Sequence, residues 1–227
     1  MSPHPHRPRD LRDRSPPLSS LRVRVARPED IPAQVRLSRA VSGVRGAWLT
    51  QELSSHLEIF PEGQLVVEDL DSDLLLGLAA SLVLDSRSWP PETPWLKVTG
   101  EGRFTTHDPE GDILYGAGLA VHPRARGRGV AKVIYQAREA LLERMGLSRI
   151  RVAARIPGYG RVSDLMSPEA YIAEVIRGER SDPTLSFQLH MGFRFVGTAR
   201  DYLPLDTESR GHAAVVEWTS EGTGSGG

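Results

Sequence analysis

The spacing of apolar residues predicts alternating strands and helices from residue 21 onward. Leu21, Val23 and Val25 alternate with Arg22 and Arg24, which is typical of a strand with one buried face. Alternation of this kind, or a short apolar run, predicts strands over 21–25, 64–68, 74–84, 112–121, 149–154, 193–198 and 213–218. Apolar residues at helical spacing predict helices over 31–39, 48–59, 128–145, 167–177 and 184–191. This order predicts a mixed sheet with helices packed on it, an α+β fold in one domain over 21–218.

Segments of different composition flank or interrupt this pattern. Residues 1–20 are rich in proline and mixed charges, and residues 219–227 are rich in glycine and serine, so both ends are expected to be flexible tails. Within the domain, 85–111 is a long loop and 156–181 is an insertion, and these two segments are expected to determine specificity. The aromatic residues of the long loop either line a binding site or cover a sheet edge; they are Trp89, Trp95 and Phe104.

Composition restricts the classes of function. The 227 residues include 28 Lys+Arg and 29 Asp+Glu, which give a net charge of -1, and no cysteine. The near-neutral charge argues against a strongly basic nucleic-acid-binding protein, and the missing cysteine excludes a disulfide scaffold and a cysteine nucleophile. The histidines lack the spacing of metal ligands, so no metal site is predicted. Neither a secretory signal nor a membrane-spanning run is recognised, so we expect a cytoplasmic protein.

The segment between the fourth predicted strand and the third predicted helix reads LAVHPRARGRGVA. Gly127 and Gly129 allow the backbone to turn tightly and to approach a ligand closely. The helix that follows directs its free N–H groups and its positive dipole end at this loop, and Arg124, Arg126 and Arg128 add positive charge. These features predict an anion site for a phosphate or pyrophosphate. A Walker loop and a dinucleotide-binding fingerprint do not fit, because the Gly-Lys-Ser/Thr ending and the third glycine are missing.

This segment resembles the acetyl-CoA motif of the GCN5-related N-acetyltransferases, the GNAT family. The resemblance is carried by Val121-x-Pro123 and by Arg124-x-x-Gly127-x-Gly129-x-Ala131, and the element order is similar to that fold over 21–218. It implies a twisted, mostly antiparallel mixed sheet of about seven strands flanked by helices, with acetyl-CoA as co-substrate. It also implies that loop amides hold the pyrophosphate and that the preceding strand binds the pantetheine arm. The residues thereby assigned to cofactor binding are Leu119, Ala120, Val121, Arg124, Arg126, Gly127, Arg128, Gly129, Val130 and Ala131.

A narrower resemblance is spread over residues 95–209. These residues resemble acetyltransferase domains that are often fused in front of a nitrilase-type carbon–nitrogen hydrolase. The matching residues are Trp95, Val98, Thr99, His107, 112–115, 155–159, Met166, Ser167, 182–188, Gly192, Phe193, Tyr202, Leu203, Glu208 and Ser209. The chain ends just after this domain, so the resemblance allows a separately encoded hydrolase as a partner. Pairing of sheet edges, which is common in this fold, allows a homodimer.

The sequence departs from the family at a proton donor. Many members carry Asn and then Tyr on the helix before Gly-Phe, and that Tyr protonates the leaving thiolate. Alignment on Gly192-Phe193 places Ser181 and Gln188 at these positions. An amide does not release a proton near neutral pH, so Gln188 cannot act as the general acid. Another group or water must protonate the thiolate, or catalysis is weak or absent.

The expected chemistry is direct attack of a neutral amine on the thioester, with backbone N–H groups near 119–121 stabilising the oxyanion. Arg155 and Tyr159, just past the strand 149–154, are the candidate catalytic residues, and Tyr115 and His107 are further candidates. Each has a structural alternative. A tyrosine can be a packing residue with a satisfied hydroxyl, Arg155 can belong to an ion pair, and His107 can be a turn residue.

Three functions follow from these observations. The first is an acyl-CoA-dependent N-acyltransferase that moves acetyl to a primary amine of a small molecule or peptide. The second is a non-catalytic acyl-CoA-binding or regulatory module that works with the hydrolase partner. The third is a phosphate or nucleic-acid binder, which the near-neutral charge and the lack of interleaved aromatic residues disfavour. We therefore expect neither nucleic acid nor a membrane as a partner.

Overall fold

The computed structural model describes residues 20–44, 46–72 and 74–220. The N-terminal tail predicted over 1–20 lies outside these ranges except for its last residue, and so does the part of the C-terminal tail from 221 onward. Within the described ranges, no helix combines the length and the apolar character needed to cross a lipid bilayer.

A single mixed sheet forms the centre of the domain. Its strands lie in the order β1-β2-β3-β4-β5-β7-β6, and only the central β4–β5 pair is parallel. This confirms the predicted mixed, mostly antiparallel sheet of seven strands. The strands are β1 (Leu21–Val25), β2 (Gln64–Asp69), β3 (Leu75–Leu84), β4 (Ile113–Val121), β5 (Arg149–Arg155), β6 (Arg194–Ala199) and β7 (Ala213–Thr219).

Helices connect the strands and cover both faces of the sheet. Five of them match the predicted helices to within a few residues, and a four-residue helix lies in the long loop, where none was predicted. The helices are α1 (Ile31–Ser42), α2 (Thr50–Ile59), α3 (Trp95–Val98), α4 (Val130–Arg144), α5 (Pro168–Ile176) and α6 (Leu185–His190).

Local sequence signals account for several helix ends. The Ser167 hydroxyl accepts a hydrogen bond from the amide of Ala170 at 3.2 Å, which caps α5 ahead of its first-turn proline. Gly146 follows α4 with a φ of +67° and Gly192 follows α6 with a φ of +88°. That left-handed conformation suits glycine and ends a helix without strain.

The two faces of the sheet are covered by different helices. On β2, Leu65 and Val67 pack in one apolar cluster with Ile134 of α4, whereas Val66 packs with Leu37 of α1. Because successive strand residues point to opposite faces, α4 and α1 lie on opposite sides of the sheet. These sides are called the α4 face and the α1 face below.

Candidate active site

The two parallel strands of the sheet separate in its middle. Leu114, Tyr115 and Gly116 of β4 pair with residues 150–152 of β5. Beyond Gly116, β4 continues along β3 and β5 continues along β7. A V-shaped opening therefore begins after Gly116, and along it the edge of β4 is released from pairing with β5. Gly116 is called the apex of this opening below.

A β-bulge lies at the start of the opening. Ala80 and Ser81 are consecutive on β3, but they pair with Gly118 and Gly116 of β4, so Ala117 is an extra residue. A bulge bends its strand and changes the direction in which the flanking groups point. Here it places residues 116–118, which are half-buried, at the point where β4 leaves β5.

The predicted anion loop follows β4 and turns into α4. Gly127 and Gly129 have φ values of +75° and +80°, a left-handed conformation that residues with a Cβ adopt only with strain. His122 holds the preceding turn, because its Nδ1 accepts a hydrogen bond from the amide of Arg124 at 3.2 Å. A Cβ on Gly127 would meet no atom within 4 Å, so this part of the loop is open to a ligand.

Unpaired amides and positive charge converge on this loop. The first intrahelical bond of α4 runs from the Val133 amide to the Gly129 carbonyl at 3.1 Å, so the amides of residues 130–132 come before it. Arg124 and Arg126 are exposed and Arg128 is half-buried. None of these three arginines forms an ion pair with another described residue. The loop therefore has the donors, the dipole and the charge of an anion site.

The structure brings the residues predicted to bind the cofactor into one continuous surface. Residues 119–121 form the released edge of β4, residues 124–129 form the loop, and residues 130–131 begin α4. This surface leads from the apex of the opening to the anion loop. The assignment of these residues to cofactor binding stays a prediction.

A buried arginine occupies the α4 face beside the bulge. Arg138 of α4 is 1% exposed, and its Nη2 donates to the carbonyls of Ala80 and Gly118 at 3.1 and 2.8 Å. Its Nε donates to the Ser81 hydroxyl at 3.1 Å. A Cβ on Gly116 would lie 3.0 Å from Nη1, so the guanidinium lies directly behind the apex. No carboxylate of a described residue pairs with this cation.

Gln188, at the position where many family members carry Tyr, contacts a tyrosine on another helix. Its Nε2 donates to the hydroxyl of Tyr135 in α4 at 2.9 Å, and both side chains are buried. The Gln188 Oε1 is buried and has no partner among the described residues. The Arg138 guanidinium carbon lies 5.4 Å from the centre of the Tyr135 ring. Burial raises the pKa of Tyr135, and interaction with Arg138 opposes this rise.

An aromatic group covers the other side of the opening. Trp48 and Trp95 lie with ring centroids 5.3 Å apart, and the Trp95 Nε1 donates to the Ala117 carbonyl at 2.9 Å. A Cβ on Gly118 would approach the Trp48 ring to 3.0 Å, so this close packing requires glycine. Phe104, a third member, is 0% exposed and lies edge-on to Trp48. The long loop thus contributes an ordered wall of the opening.

His56 completes this aromatic group from α2. It stacks on Phe104 with centroids 3.6 Å apart, and its Nε2 lies 2.6 Å from the Gly102 carbonyl. That nitrogen must carry the proton, because a carbonyl only accepts hydrogen bonds. The Nδ1 is buried and without a partner among the described residues. Burial lowers the pKa of His56 to about 4, so the ring is neutral at physiological pH.

The two candidate catalytic residues predicted from the sequence both have structural partners. Arg155 donates through Nε and Nη2 to the Asp206 carboxylate at 2.6 and 2.5 Å, and Nη2 also donates to Glu208 at 2.9 Å. The Tyr159 hydroxyl donates to the Met166 carbonyl at 3.1 Å. These contacts fit the structural alternative for each residue, and the predicted catalytic role of both stays a prediction.

The further candidates are also bound within the fold. The Tyr115 hydroxyl lies 2.6 Å from that of Tyr202, and both rings are buried. The Nδ1 of His107 accepts a hydrogen bond from the amide of Val83 at 3.0 Å, so this histidine holds the long loop against β3.

Sequence reasoning missed four residues that flank the opening. Trp48 begins the helix predicted over 48–59, and neither it nor His56, Tyr135 and Arg138 is among the predicted site residues. Leu53, His56 and Phe60 share a helical spacing, as do Ile134, Arg138 and Leu141. This spacing indicates that the side chains of His56 and Arg138 lie on the buried faces of their helices.

Comparisons with known proteins agree with this geometry. A family model described as "Acetyltransferase (GNAT) family" matches residues 47–160. The "Uncharacterized N-acetyltransferase YkwB" of Bacillus subtilis is 30% identical over 171 residues, which are 75% of this chain and 74% of the relative. The "Probable hydrolase YhcX" of the same organism is 35% identical over 173 residues, which are 76% of this chain. The match spans only 33% of that longer protein.

Solved structures share the fold. The GNAT-like decarboxylase GphF in complex with isobutyryl-CoA has a TM-score of 0.76 at 24% identity, over 87% of this chain and 98% of that one. The loading GNATL domain of CurA from Lyngbya majuscula has a TM-score of 0.76 at 17% identity, over 88% and 97% of the two chains. At these identities the likeness concerns the fold alone.

Proposed function

The chain belongs to the acetyltransferase (GNAT) family, and from this premise we propose that it transfers acetyl from acetyl-CoA to a primary amine. The observation that carries the proposal is the unbroken surface from the anion loop to the apex at Gly116. An acyl-CoA has phosphates at one end, an amide-containing arm in the middle and a thioester at the other end. The loop, the released edge of β4 and the apex match these three parts in the same order.

Each part of the surface has a defined task in this proposal. The amides of residues 130–132 and the three loop arginines bind the phosphates. Residues 119–121 offer backbone donors and acceptors to the amides of the arm, as a neighbouring strand would. The thioester then lies beside Gly116 and Ala117, where the backbone of β4 is free to bind it.

The proposed route is direct transfer of the acetyl group, since the sequence offers no thiol to carry it. The sequence contains no cysteine, so a cysteinyl acyl intermediate does not form. A neutral amine attacks the thioester carbon, a carbon–nitrogen bond forms, and the carbon–sulfur bond breaks as the oxyanion collapses. Backbone N–H groups of β4 beside the thioester stabilise the oxyanion, and water accepts the proton lost by the amine.

The acceptor amine enters from the α1 face in this proposal. The α4 face behind the apex is filled by Arg138, Tyr135 and Gln188, all of which are buried. On the α1 face, Trp48 and Trp95 are only half-buried and lie directly against residues 117 and 118. Their position makes them the first side chains that an approaching amine contacts.

A second candidate is a non-catalytic acyl-CoA-binding module that regulates a carbon–nitrogen hydrolase. The observation that favours it is Gln188, whose amide cannot donate a proton to a leaving thiolate. The name and greater length of YhcX suggest the chemistry of such a partner. A cytoplasmic location and a homodimer formed through sheet edges are further proposals.

Two measurements on the wild-type protein separate these candidates. Titration calorimetry with acetyl-CoA measures binding, and a disulfide reagent measures thiol release in the presence of a panel of primary amines. The protein contains no cysteine, so it does not itself react with the disulfide reagent. Binding with amine-dependent thiol release supports the transferase, and binding without release to any amine supports the regulatory module. No binding contradicts both.

A further inference from the structure

Three buried polar side chains form one cluster behind the apex, on the α4 face. Tyr135 and Arg138 come from α4 and Gln188 comes from α6, and they are 2%, 1% and 6% exposed. Tyr135 and Arg138 lie roughly one and a half and two and a half turns into α4 from the anion loop. An arm that follows β4 from the loop to the apex therefore ends beside this cluster.

The cluster has polar capacity that the described residues do not use. Buried polar atoms almost always have a hydrogen-bond partner, yet Gln188 Oε1 has none among the described residues. A buried cation is expensive to desolvate, yet Arg138 is held by a hydroxyl and two carbonyls rather than by a carboxylate. Both features fit a site that receives a polar, negatively charged group during the reaction.

The hydroxyl proton of Tyr135 is not used in a hydrogen bond to another described residue. The hydroxyl oxygen accepts the hydrogen bond from Gln188 Nε2, so its own proton is available to another acceptor. Burial raises the pKa of this hydroxyl, and the guanidinium of Arg138 opposes the rise because it interacts with the hydroxyl and favours the ionised form. A fixed cation beside a phenol stabilises the phenolate that remains after the proton has left.

Acyl transfer from a thioester creates the group that this cluster can receive. Breaking the carbon–sulfur bond leaves a thiolate, and a free thiol has a pKa of about 8.5, so protonation assists its departure near neutral pH. We propose that Tyr135 donates its proton to this thiolate, with Gln188 and Arg138 as positioning residues. The sulfur gains the proton, Tyr135 becomes a phenolate beside Arg138, and water returns a proton to it. This inference rests on the proposed function.

The test compares Tyr135→Phe with the wild-type protein. The first readout is the pKa of the thiol of bound CoA, followed by the ultraviolet absorbance of the thiolate during a pH titration. A phenol that hydrogen-bonds to the thiolate stabilises it, so we expect this pKa to rise by about one unit in the variant. The second readout is thiol release from acetyl-CoA with an accepted amine, for which we expect kcat to fall about 100-fold with little change in the KM for acetyl-CoA.

Two further variants make the test independent of folding effects. Gln188→Met removes the bond to the phenol but keeps the phenol, so it should shift both readouts in the same direction by less. Tyr202→Phe removes another buried hydroxyl, the one that contacts Tyr115, and should leave the thiol pKa at its wild-type value. Thermal unfolding of each variant identifies any loss of structure, and Gln188→Met carries the test if Tyr135→Phe does not fold.

The outcomes distinguish this inference from the proposed function. An unchanged thiol pKa and an unchanged kcat in folded Tyr135→Phe would overturn the inference alone. The same shift in Tyr202→Phe as in Tyr135→Phe would overturn it too, because the effect would then not be specific to Tyr135. Failure of the wild-type protein to bind CoA or acetyl-CoA would overturn the proposed function and this inference with it.

Discussion

The indole of Trp95 donates a hydrogen bond to the carbonyl of Ala117 at 2.9 Å. Ala117 is the bulged residue of β4, directly after its last pair with β5. One side chain of the long loop thus lines the α1 face of the opening and satisfies a backbone group that the bulge leaves unpaired. The loop sets the shape of the site as well as covering the sheet.

Replacing this indole tests both roles. Trp95→Phe keeps an aromatic ring but leaves the Ala117 carbonyl without its donor, so we expect the free energy of unfolding to fall by roughly 1–3 kcal/mol. Urea unfolding measures this change. Trp89→Phe is the matched control, because the Trp89 indole donates no hydrogen bond to another described residue, and it should lower the free energy of unfolding by about 1 kcal/mol or less.

In catalysis, Trp95→Phe should alter the KM for the amine more than the affinity for acetyl-CoA, because the indole lies on the proposed acceptor side. Steady-state kinetics and calorimetry separate the two effects. A variant that weakens acetyl-CoA binding but leaves the KM for the amine unchanged would contradict an acceptor-side position for Trp95.

Neutral His56 makes stability depend on pH. Burial lowers the pKa of His56 from 6.5 to about 4 in the folded protein. The unfolded chain takes up a proton as the pH falls through 6.5, while the folded one does so only near pH 4. Stability is therefore fully present above pH 6.5 and is lost between pH 6.5 and 4, by about 3 kcal/mol from this group.

Urea unfolding at pH 7.5 and pH 5 measures the part of this loss that occurs above pH 5, which is about 2 kcal/mol. His56→Gln should flatten the dependence, because its side chain does not titrate, whereas His190→Gln should keep it, because His190 is exposed. Equal pH dependence in wild type and His56→Gln would show that His56 is not held neutral by burial.

Arg155 is expected to contribute to stability through Asp206. The Asp206 side chain is 8% exposed and accepts two hydrogen bonds from the guanidinium, which holds its pKa below the usual value despite burial. Arg155→Met should therefore lower the free energy of unfolding by roughly 1–3 kcal/mol, and Asp206→Asn should recover part of this loss by removing the unpaired charge.

Calorimetry then decides whether Arg155 also serves the cofactor site. Acetyl-CoA binding by folded Arg155→Met should match the wild type, because Arg155 is committed to carboxylates at the far end of β5. A loss of affinity without a loss of stability would place Arg155 in the binding site instead.

Local sequence signals were sufficient to predict the strands, the main helices and the anion loop. The alternation of Leu21, Val23 and Val25 predicts β1 with its observed bounds, because a half-buried strand has a period of two. Gly127 and Gly129 predict a tight loop, because glycine adopts the left-handed conformation without strain. Both residues have that conformation in the structure. These features depend on a few neighbouring residues, and no distant contact overrides them.

The chemistry around the apex could not be predicted in the same way. Arg138 has the helical spacing of a buried residue, but a charged side chain in a helix is usually solvated. Its hydrogen-bond partners are distant in the sequence: those on β3 are 57 and 58 residues away, and the one on β4 is 20 residues away. The contact between Tyr135 and Gln188 joins residues 53 apart. The bulge at Ala117 arises from its pairing with β3, so only the assembled sheet reveals it.

Titration calorimetry with acetyl-CoA on two matched glycine variants tests most directly whether the loop before α4 binds acyl-CoA. Gly127 and Gly146 have φ values of +75° and +67°, and a Cβ on either would meet no atom within 4 Å, so Leu introduces similar strain at both positions. Only Gly127 lies in the anion loop. We expect Gly127→Leu to weaken binding at least about tenfold, or about 1.4 kcal/mol, with Gly146→Leu binding as the wild type does. Equal affinities of the two variants, or no binding by the wild-type protein, would contradict an acyl-CoA site at this loop.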